Sequence, residues 1–406
     1  MSATASVTSP VPHRVGLYLA VLQFLFTTCW TVYAIFLPKL AASAGIAAGA
    51  IILLLMLDQA IFTVADFATG IAADKVSRVL GRLGFWVAGV TLLSCLAFVA
   101  MPYFASAGAG VFIALTVVWA ITSSALRAPP LMLLGKYAAK PAIPYLSSLA
   151  LFGIGVAGAI APYLTVTLRE QDPRLPFVIA SVVLVLTTFG LTHVERILAR
   201  QPAASQPEPA APTRNISRNA VIFALALVVL ALGFQLHFAI NSAPMFRRAA
   251  SAEALSWLMP VFWIGFNLAM FPAGLIVNRI GHYPVMGVSA LIGAAAIVVT
   301  ALAQSLELMV VAQFAAGAAW GCILMAAFTL AFAVGENGHE GAMSGLLFST
   351  LALATFIRMG AVAAGLPGDP TIKALLAWAP AACWTLAGIG LFVAATSTMR
   401  KQAPAS

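Results

Sequence analysis

Four ionisable side chains, Asp58, Asp66, Arg127 and Arg358, interrupt long apolar runs. In a hydrocarbon surrounding an unpaired charge costs at least about 2.5–3.5 kcal/mol, so each of them needs a partner. The chemistry open to them is narrow. A carboxylate can carry a proton or a cation, a guanidinium can hold an anion in a two-pronged grip, and the two types can neutralise each other. Asp58 lies within "LLLMLDQAIFTVAD", and Asp66 follows eight residues later (66 − 58). On a helix that is about 12 Å of rise and a turn of about 80°, which leaves both on broadly one side. Arg127, in "SALRAPPLMLLGKY", precedes Pro129 and Pro130, which remove helix hydrogen bonds and open the backbone there. Arg358 stands in "ATFIRMGAV". Two readings are open: Asp–Arg pairs that hold helices in register, or Asp58 as a proton or cation carrier with one or both arginines binding an anionic substrate group. A further polar cluster, "GFQLHFAINSAPMF", sets His237 and Asn241 four apart on one helix face, with Gln235 pointing elsewhere.

The elements that must position these groups follow from composition. Of 406 residues 62% are hydrophobic and 8% charged, with mean hydropathy +1.02. Soluble globular chains carry about 25% charged residues, so most of this surface faces lipid. A hydrocarbon core about 30 Å thick needs about 20 apolar helical residues. Cutting at Pro, Gly and charge clusters gives twelve candidates: 15–37, 46–71, 83–101, 110–134, 144–168, 176–194, 219–242, 256–277, 284–304, 308–334, 342–365 and 374–396. No alternating barrel pattern appears, so the spans are helices. The polar stretch 196–218, rich in Pro, Ala, Ser and Gln, reads as a cytoplasmic linker. It separates an N-terminal six-helix bundle, 1–195, from a C-terminal one, 219–406.

Loop charges set the orientation. With both termini inside, the cytoplasmic side holds 13 basic residues against 6 outside. The short polar N-terminus reads as a cytoplasmic tail, not a cleaved signal. "GENGHE" at 335–340 carries Glu336 and Glu340 without a basic residue and reads as a solvated loop, with a Glu/His metal site the lesser alternative. Cys29, Cys95, Cys322 and Cys383 lie widely spaced inside apolar segments and read as packing residues, with neither a disulfide nor a zinc pattern.

The chain also repeats itself. "GIAADKVSR" at 70–78 and "GLIVNRIGH" at 274–282 share a skeleton 204 residues apart (274 − 70), each at the cytoplasmic end of the second span of its half. The same offset carries His237 onto Tyr33 (237 − 204), also polar. A duplicated six-span unit is a repeat architecture of secondary transporters.

At these residues the chain resembles the major facilitator superfamily, whose loop motif runs Gly-x-x-x-Asp-(Arg/Lys)-x-Gly-(Arg/Lys). The first copy matches with Gly70, Asp74, Lys75 and Arg78, but Ser77 replaces a glycine. The second has Gly274, Arg279 and Gly281, while Asn278 replaces the carboxylate and His282 a cation. "GIGVAGAIAPYL" at 153–164, with Pro162, has the small residues of the antiporter motif without its full ending, and helix packing through small residues explains it better. The resemblance implies twelve helices in two bundles, with spans two and eleven adjacent across the halves and spans one and seven lining a cavity. Asp74 would then reach the N-terminus of span eleven, near Gly341–Ser344, and latch the cytoplasmic side shut, because a helix N-terminus favours a carboxylate. Asp58 and Arg358 could meet across the same interface, and Tyr33, His237 and Asn241 become candidate substrate contacts.

The expectation is an all-α, polytopic protein of the cell (inner) membrane. It would be a monomer without cofactor or metal, moving a small solute by alternating access and coupled to protons or another ion. An uncoupled facilitator is the alternative within transport. A membrane-embedded enzyme or sensor would need a clustered catalytic set, and the polar residues are dispersed. No nucleotide-binding loop supports ATP-driven pumping, and no basic patch outside the membrane supports nucleic-acid binding. The arginines point to an anionic substrate and the otherwise sparse polarity to an apolar one, so substrate class stays open.

Overall fold

The computed structural model describes residues 13–79, 83–138, 140–199, 218–335 and 338–402. Among them, twelve helices are long and apolar enough to cross a membrane, and no strand occurs. Spans 1 to 6 are His13–Ser43, Ala48–Ser77, Leu83–Ala107, Ala109–Tyr137, Lys140–Leu168 and Arg174–Leu198. Spans 7 to 12 are Val221–Phe246, Leu255–Ile280, His282–Leu302, Leu306–Val334, Glu340–Ala363 and Pro370–Ala395. Each overlaps one interval expected from the sequence. Residues such as Leu53, Val64, Phe85, Leu186, Leu268 and Leu386 are exposed in density that lipid, not water, accommodates. An even number of spans brings both ends of the chain to one side, here the terminal face.

Three local features depart from uninterrupted helix or from the expected ends. The helix of span 2 runs on to Val79, so Asp74 and Lys75 are helical residues and not loop residues as expected. No Gly or Pro stands between 71 and 79 to stop it, and Ser77 occupies the position where the motif has glycine. In the second copy Gly281 adopts φ 85° and does end span 8, which a side chain would resist. At the other end of the first half, the helix of span 6 extends to Ala199 and Arg218 already opens that of span 7. The expected linker 196–218 is thus helical at both edges, and 200–217 lies outside the described residues.

Span 4 breaks as its prolines require. An α-helical segment to Ser123 passes through a 3-10 turn, Ser124–Leu126, before helix resumes at Pro129. Pro130 cannot donate to the Leu126 carbonyl, four residues back. The Gln23 side chain of span 1 supplies the missing donor at 3.1 Å. Span 7 widens into a π-helix over Gln235–Asn241, just before Pro244. Pro244 leaves the Ile240 carbonyl without its helical donor, and the Ser242 amide bonds to His237 O, five residues back.

Spans 1 to 6 pack mainly on one another, as do spans 7 to 12. The two sets meet where span 2 lies along span 11 and span 5 along span 8, with span 4 reaching spans 10 and 11 near the terminal face.

Candidate functional site

Span 11 meets span 2 through glycine. A Cβ on Gly70 would strike the Gly341 carbonyl, and one on Gly345 would come within 2.5 Å of the Asp66 carbonyl. Backbones can approach so closely only where both surfaces lack side chains. This approach brings the N-terminus of span 11 against Asp74. Its Oδ1 accepts the Gly341 N–H and its Oδ2 the Ala342 N–H, each at 2.8 Å. The first amides of a helix have no partner within it, and a carboxylate satisfies both with charge assistance. Next to this contact Lys136 of span 4 donates to the Ser77 hydroxyl, and Gly135 packs against the Phe332 ring of span 10. The terminal face is shut.

Glu340 belongs to this seal. It is 7% exposed in the first turn of span 11 and accepts the Gly338 N–H at 3.4 Å. The solvated-loop expectation fails for Glu340, because drawing span 11 onto Gly70 pulls its first turn inside; Glu336 lies outside the described residues.

The buried charges sort differently from one another. Arg127 Nη1 stands 2.9 Å from Asp66 Oδ2, with the Asp66 side chain fully buried and that of Arg127 15% exposed. The contact is ionic, since its angle falls outside hydrogen-bond geometry. The guanidinium also lies over two rings, Phe62 of span 2 at 4.7 Å and Phe348 of span 11 at 5.1 Å. The second ring belongs to the other half, so this pair borders the interface.

Asp58 is turned inward within spans 1 to 6. Tyr33 of span 1 stands beside it, with Thr116 of span 4 next to Tyr33, all three buried. The Tyr33 hydroxyl faces the carboxylate without hydrogen-bond geometry, and among the described residues neither Asp58 oxygen has a hydrogen-bond or ionic partner. The expected meeting of Asp58 with Arg358 does not occur. One face of span 2 carries Gly70 to span 11, and Asp58 stands on another, aimed at Tyr33 of span 1.

Arg358 instead ends a stripe on span 11, Ser344, Phe348, Leu351, Thr355 and Arg358, spaced four and three apart along one face. The face points inward, because Phe348 covers Arg127 and Thr355 receives a hydrogen bond from Gln235 of span 7 at 2.9 Å. Ser344 and Phe348, nearer the terminal face, are buried, whereas Leu351, Thr355 and Arg358 are half-buried. The stripe is therefore buried toward the terminal face and partly exposed from Leu351 onward.

Comparison with solved structures decides the architecture. The chain is similar to the E. coli fucose:proton symporter, with TM-score 0.70, 14% identity, and 94% of this chain and 98% of that one covered. The human organic anion transporter MFSD10 gives TM-score 0.71 at 13% identity over 95% and 99%. A bacterial homologue of the iron transporter ferroportin, in an outward-facing state, gives 0.71 at 14% over 95% and 100%. The chain has the major facilitator fold. No family model and no curated protein matches the sequence.

Within the major facilitator fold the remaining expected residues divide. His237 is fully buried and its Nε2 lies 2.8 Å from Gln313 Oε1 of span 10. Gln313 donates in turn to Ser242, and Ser242 to the His237 carbonyl. Asn241 donates to the Leu376 carbonyl of span 12 at 2.8 Å. These two tie span 7 to its neighbours, and Gln235, set aside by the helix-face argument, is the residue of that segment that reaches span 11. The glycines of 153–164 pack helices: Gly153 against the Ala20 carbonyl, Gly155 against Asn267 and Gly158 against Trp263.

The second motif copy has its own contact. Gly274 packs near Pro144 at the start of span 5, and the Asn278 amide donates to the Pro141 carbonyl at 2.9 Å. Pro144, the counterpart of Gly341 in this contact, has no N–H, so a carboxylate at 278 would lose one of the two donors that Asp74 enjoys. That accounts for the amide. Arg279 is exposed, as is Lys75, and the Arg78 side chain lies outside the described residues. Asn278→Asp sets a charge against a carbonyl at a solvent-exposed contact and should weaken the seal by about 0.5–1.5 kcal/mol. Faster labelling of a cysteine introduced at Pro141 would register it, and an unchanged rate would count against the contact.

Sequence reasoning missed Glu195, near the end of span 6. It accepts the Leu83 and Gly84 amides at 2.9 and 2.7 Å, capping span 3 as Asp74 caps span 11. Its signal was a lone carboxylate in "HVERILAR", beside the polar linker. A cavity of about 460 Å³ between spans 1, 5 and 6, touched by Leu25, Thr28, Leu168 and Ile179, contains none of the intramembrane charges.

Proposed function

We propose that the protein is a secondary active transporter that moves a small solute by alternating access, with the terminal face in the cytoplasm. The observation that carries this reading is the asymmetry along span 11: Asp74 seals one end onto Gly341 and Ala342, while the same inward stripe is half-exposed beyond Leu351. A two-half molecule closed at one side and open toward the other is one end state of a rocking cycle. The basic bias of the terminal-side loops supports the orientation. The structures it resembles are of transporters, one of them a fucose:proton symporter.

Asp58 is the proposed coupling group. An ionised carboxylate at full burial, without a cation at ion-pair distance, costs several kcal/mol. A proton or a cation bound there removes that cost. Solute uptake into proteoliposomes, measured with and without an imposed pH gradient, tests the assignment. Wild-type uptake should rise several-fold with the gradient, and Asp58→Asn should lose that response. Uptake by the Asn variant that still follows the gradient would sink the carrier role. Wild-type uptake indifferent to every ion gradient would favour the uncoupled facilitator.

A further inference from the structure

With Arg127 neutralised by Asp66, the intramembrane charges leave one cation unmatched. Arg358 has no hydrogen bond and no ion pair among the described residues, and its Nε is buried without a partner. It is half-buried on the inward stripe of span 11, one turn beyond Thr355, where the stripe is partly exposed. Thr355 and Gln235 join spans 11 and 7 beside it by their 2.9 Å hydrogen bond. Leu351 and the partly buried Phe234 and Phe238 supply apolar and aromatic surface along the same two spans.

We infer that Arg358, with Gln235 and Thr355, forms a binding site for an organic monoanion, a carboxylate or sulfonate on an apolar body. A half-buried guanidinium without an ion pair among the described residues lacks an acceptor, and a planar two-oxygen anion fits its fork. Charge fixes the valence. Asp66 occupies Arg127, so Arg358 is the one intramembrane arginine without an ion pair among the described residues, which matches a single negative charge. The hydroxyl and amide of Thr355 and Gln235 are placed for a polar substituent near that charge, while the apolar surroundings take the remainder. Asp58 sits in the other half, so the anion and the coupling proton occupy separate sites.

This inference rests on the transport reading of the same cavity, and binding measured apart from transport separates the two. The full-length protein, purified in detergent, is screened for ligand-dependent thermal protection against a broad panel of organic monocarboxylates and sulfonates and the neutral amide of each. Wild type should be protected by a subset of the anions and not by the matching amides. Arg358→Gln should weaken that binding about tenfold or more without moving the unliganded melting temperature, and Arg358→Lys should recover part of it. Equal protection by the amides, or full anion affinity in Arg358→Gln, overturns the site. So does protection by phosphatidylglycerol in place of the soluble anions, which assigns the cation to a lipid headgroup. An anion that binds through Arg358 but never crosses a proteoliposome membrane keeps the site and defeats the transport reading. A neutral solute that is transported while no anion binds does the reverse.

Discussion

Arg127→Met is expected to lower the stability of the purified protein by about 3–5 kcal/mol, seen as a large fall in apparent melting temperature in detergent. The reason is the fully buried Asp66, whose only cation is the guanidinium 2.9 Å away. Removing one member of such a pair leaves an uncompensated charge, and that penalty exceeds what the intact pair contributed. The double variant Asp66→Leu/Arg127→Met is expected to recover most of the loss, since apolar side chains of similar volume often replace a buried pair at little cost. Recovery would mark the pair as a structural element of spans 2 and 4. A single variant as stable as wild type, or a double variant as weak as the single, would defeat that view. The ring of Phe348 beneath the guanidinium adds a second consequence. Because Phe348 belongs to the other half, the double variant should be stable yet less firmly closed at the terminal face.

Asp74→Ala should open that face. Two charge-assisted hydrogen bonds to the Gly341 and Ala342 amides disappear, each worth about 1.5–3 kcal/mol, and buried helix amides are left unmet. Allowing for water that reaches the freed amides, a shift of about 3 kcal/mol is reasonable, or about two orders of magnitude in population. Spin labels on the exposed positions Lys75 and Arg279 report it, one on each half at the terminal face. Their separation should be narrowly distributed in wild type and gain a longer component in the variant. Asp74→Asn keeps one acceptor oxygen and should shift the balance less, with weakened transport at normal expression. Identical distance distributions in wild type and Asp74→Ala would show that glycine packing alone holds the halves together.

The contact of Asp74 with the start of span 11 was legible because its ingredients are local and repeated. Gly70 and Asp74 lie four residues apart, and the copy at Gly274 and Asn278 marks the same place in the second half. The resemblance supplied the partner helix, and a helix N-terminus attracts a carboxylate in any sequence. Span number and order were legible for a similar reason, since lipid demands a continuous apolar helix for each crossing. The backbone breaks could be anticipated from Pro129 and Pro130, though not that Gln23 would satisfy the carbonyl they free. His237 illustrates the opposite case. Its spacing to Asn241 assumed an α-helix, whereas the segment is a π-helix in which His237 meets Gln313 of span 10 and Asn241 meets Leu376 of span 12.

By itself the sequence determined that this chain lives in lipid, that it has twelve helices long and apolar enough to cross it, and that one motif recurs 204 residues apart at the end of the second span and of the eighth. It also determined which few residues would be costly to bury, because charge within an apolar run is visible without coordinates. Only the tertiary structure decided how those charges are matched: Asp66 with Arg127, Asp58 beside Tyr33, and Arg358 left without an ion pair among the described residues. The physical reason is angular. A helix turns about 100° per residue, so which neighbour a side chain meets depends on how each helix is rotated and how closely the backbones approach. Here that rotation is set by glycine contacts between spans 2 and 11, a property of the pair that neither helix carries alone.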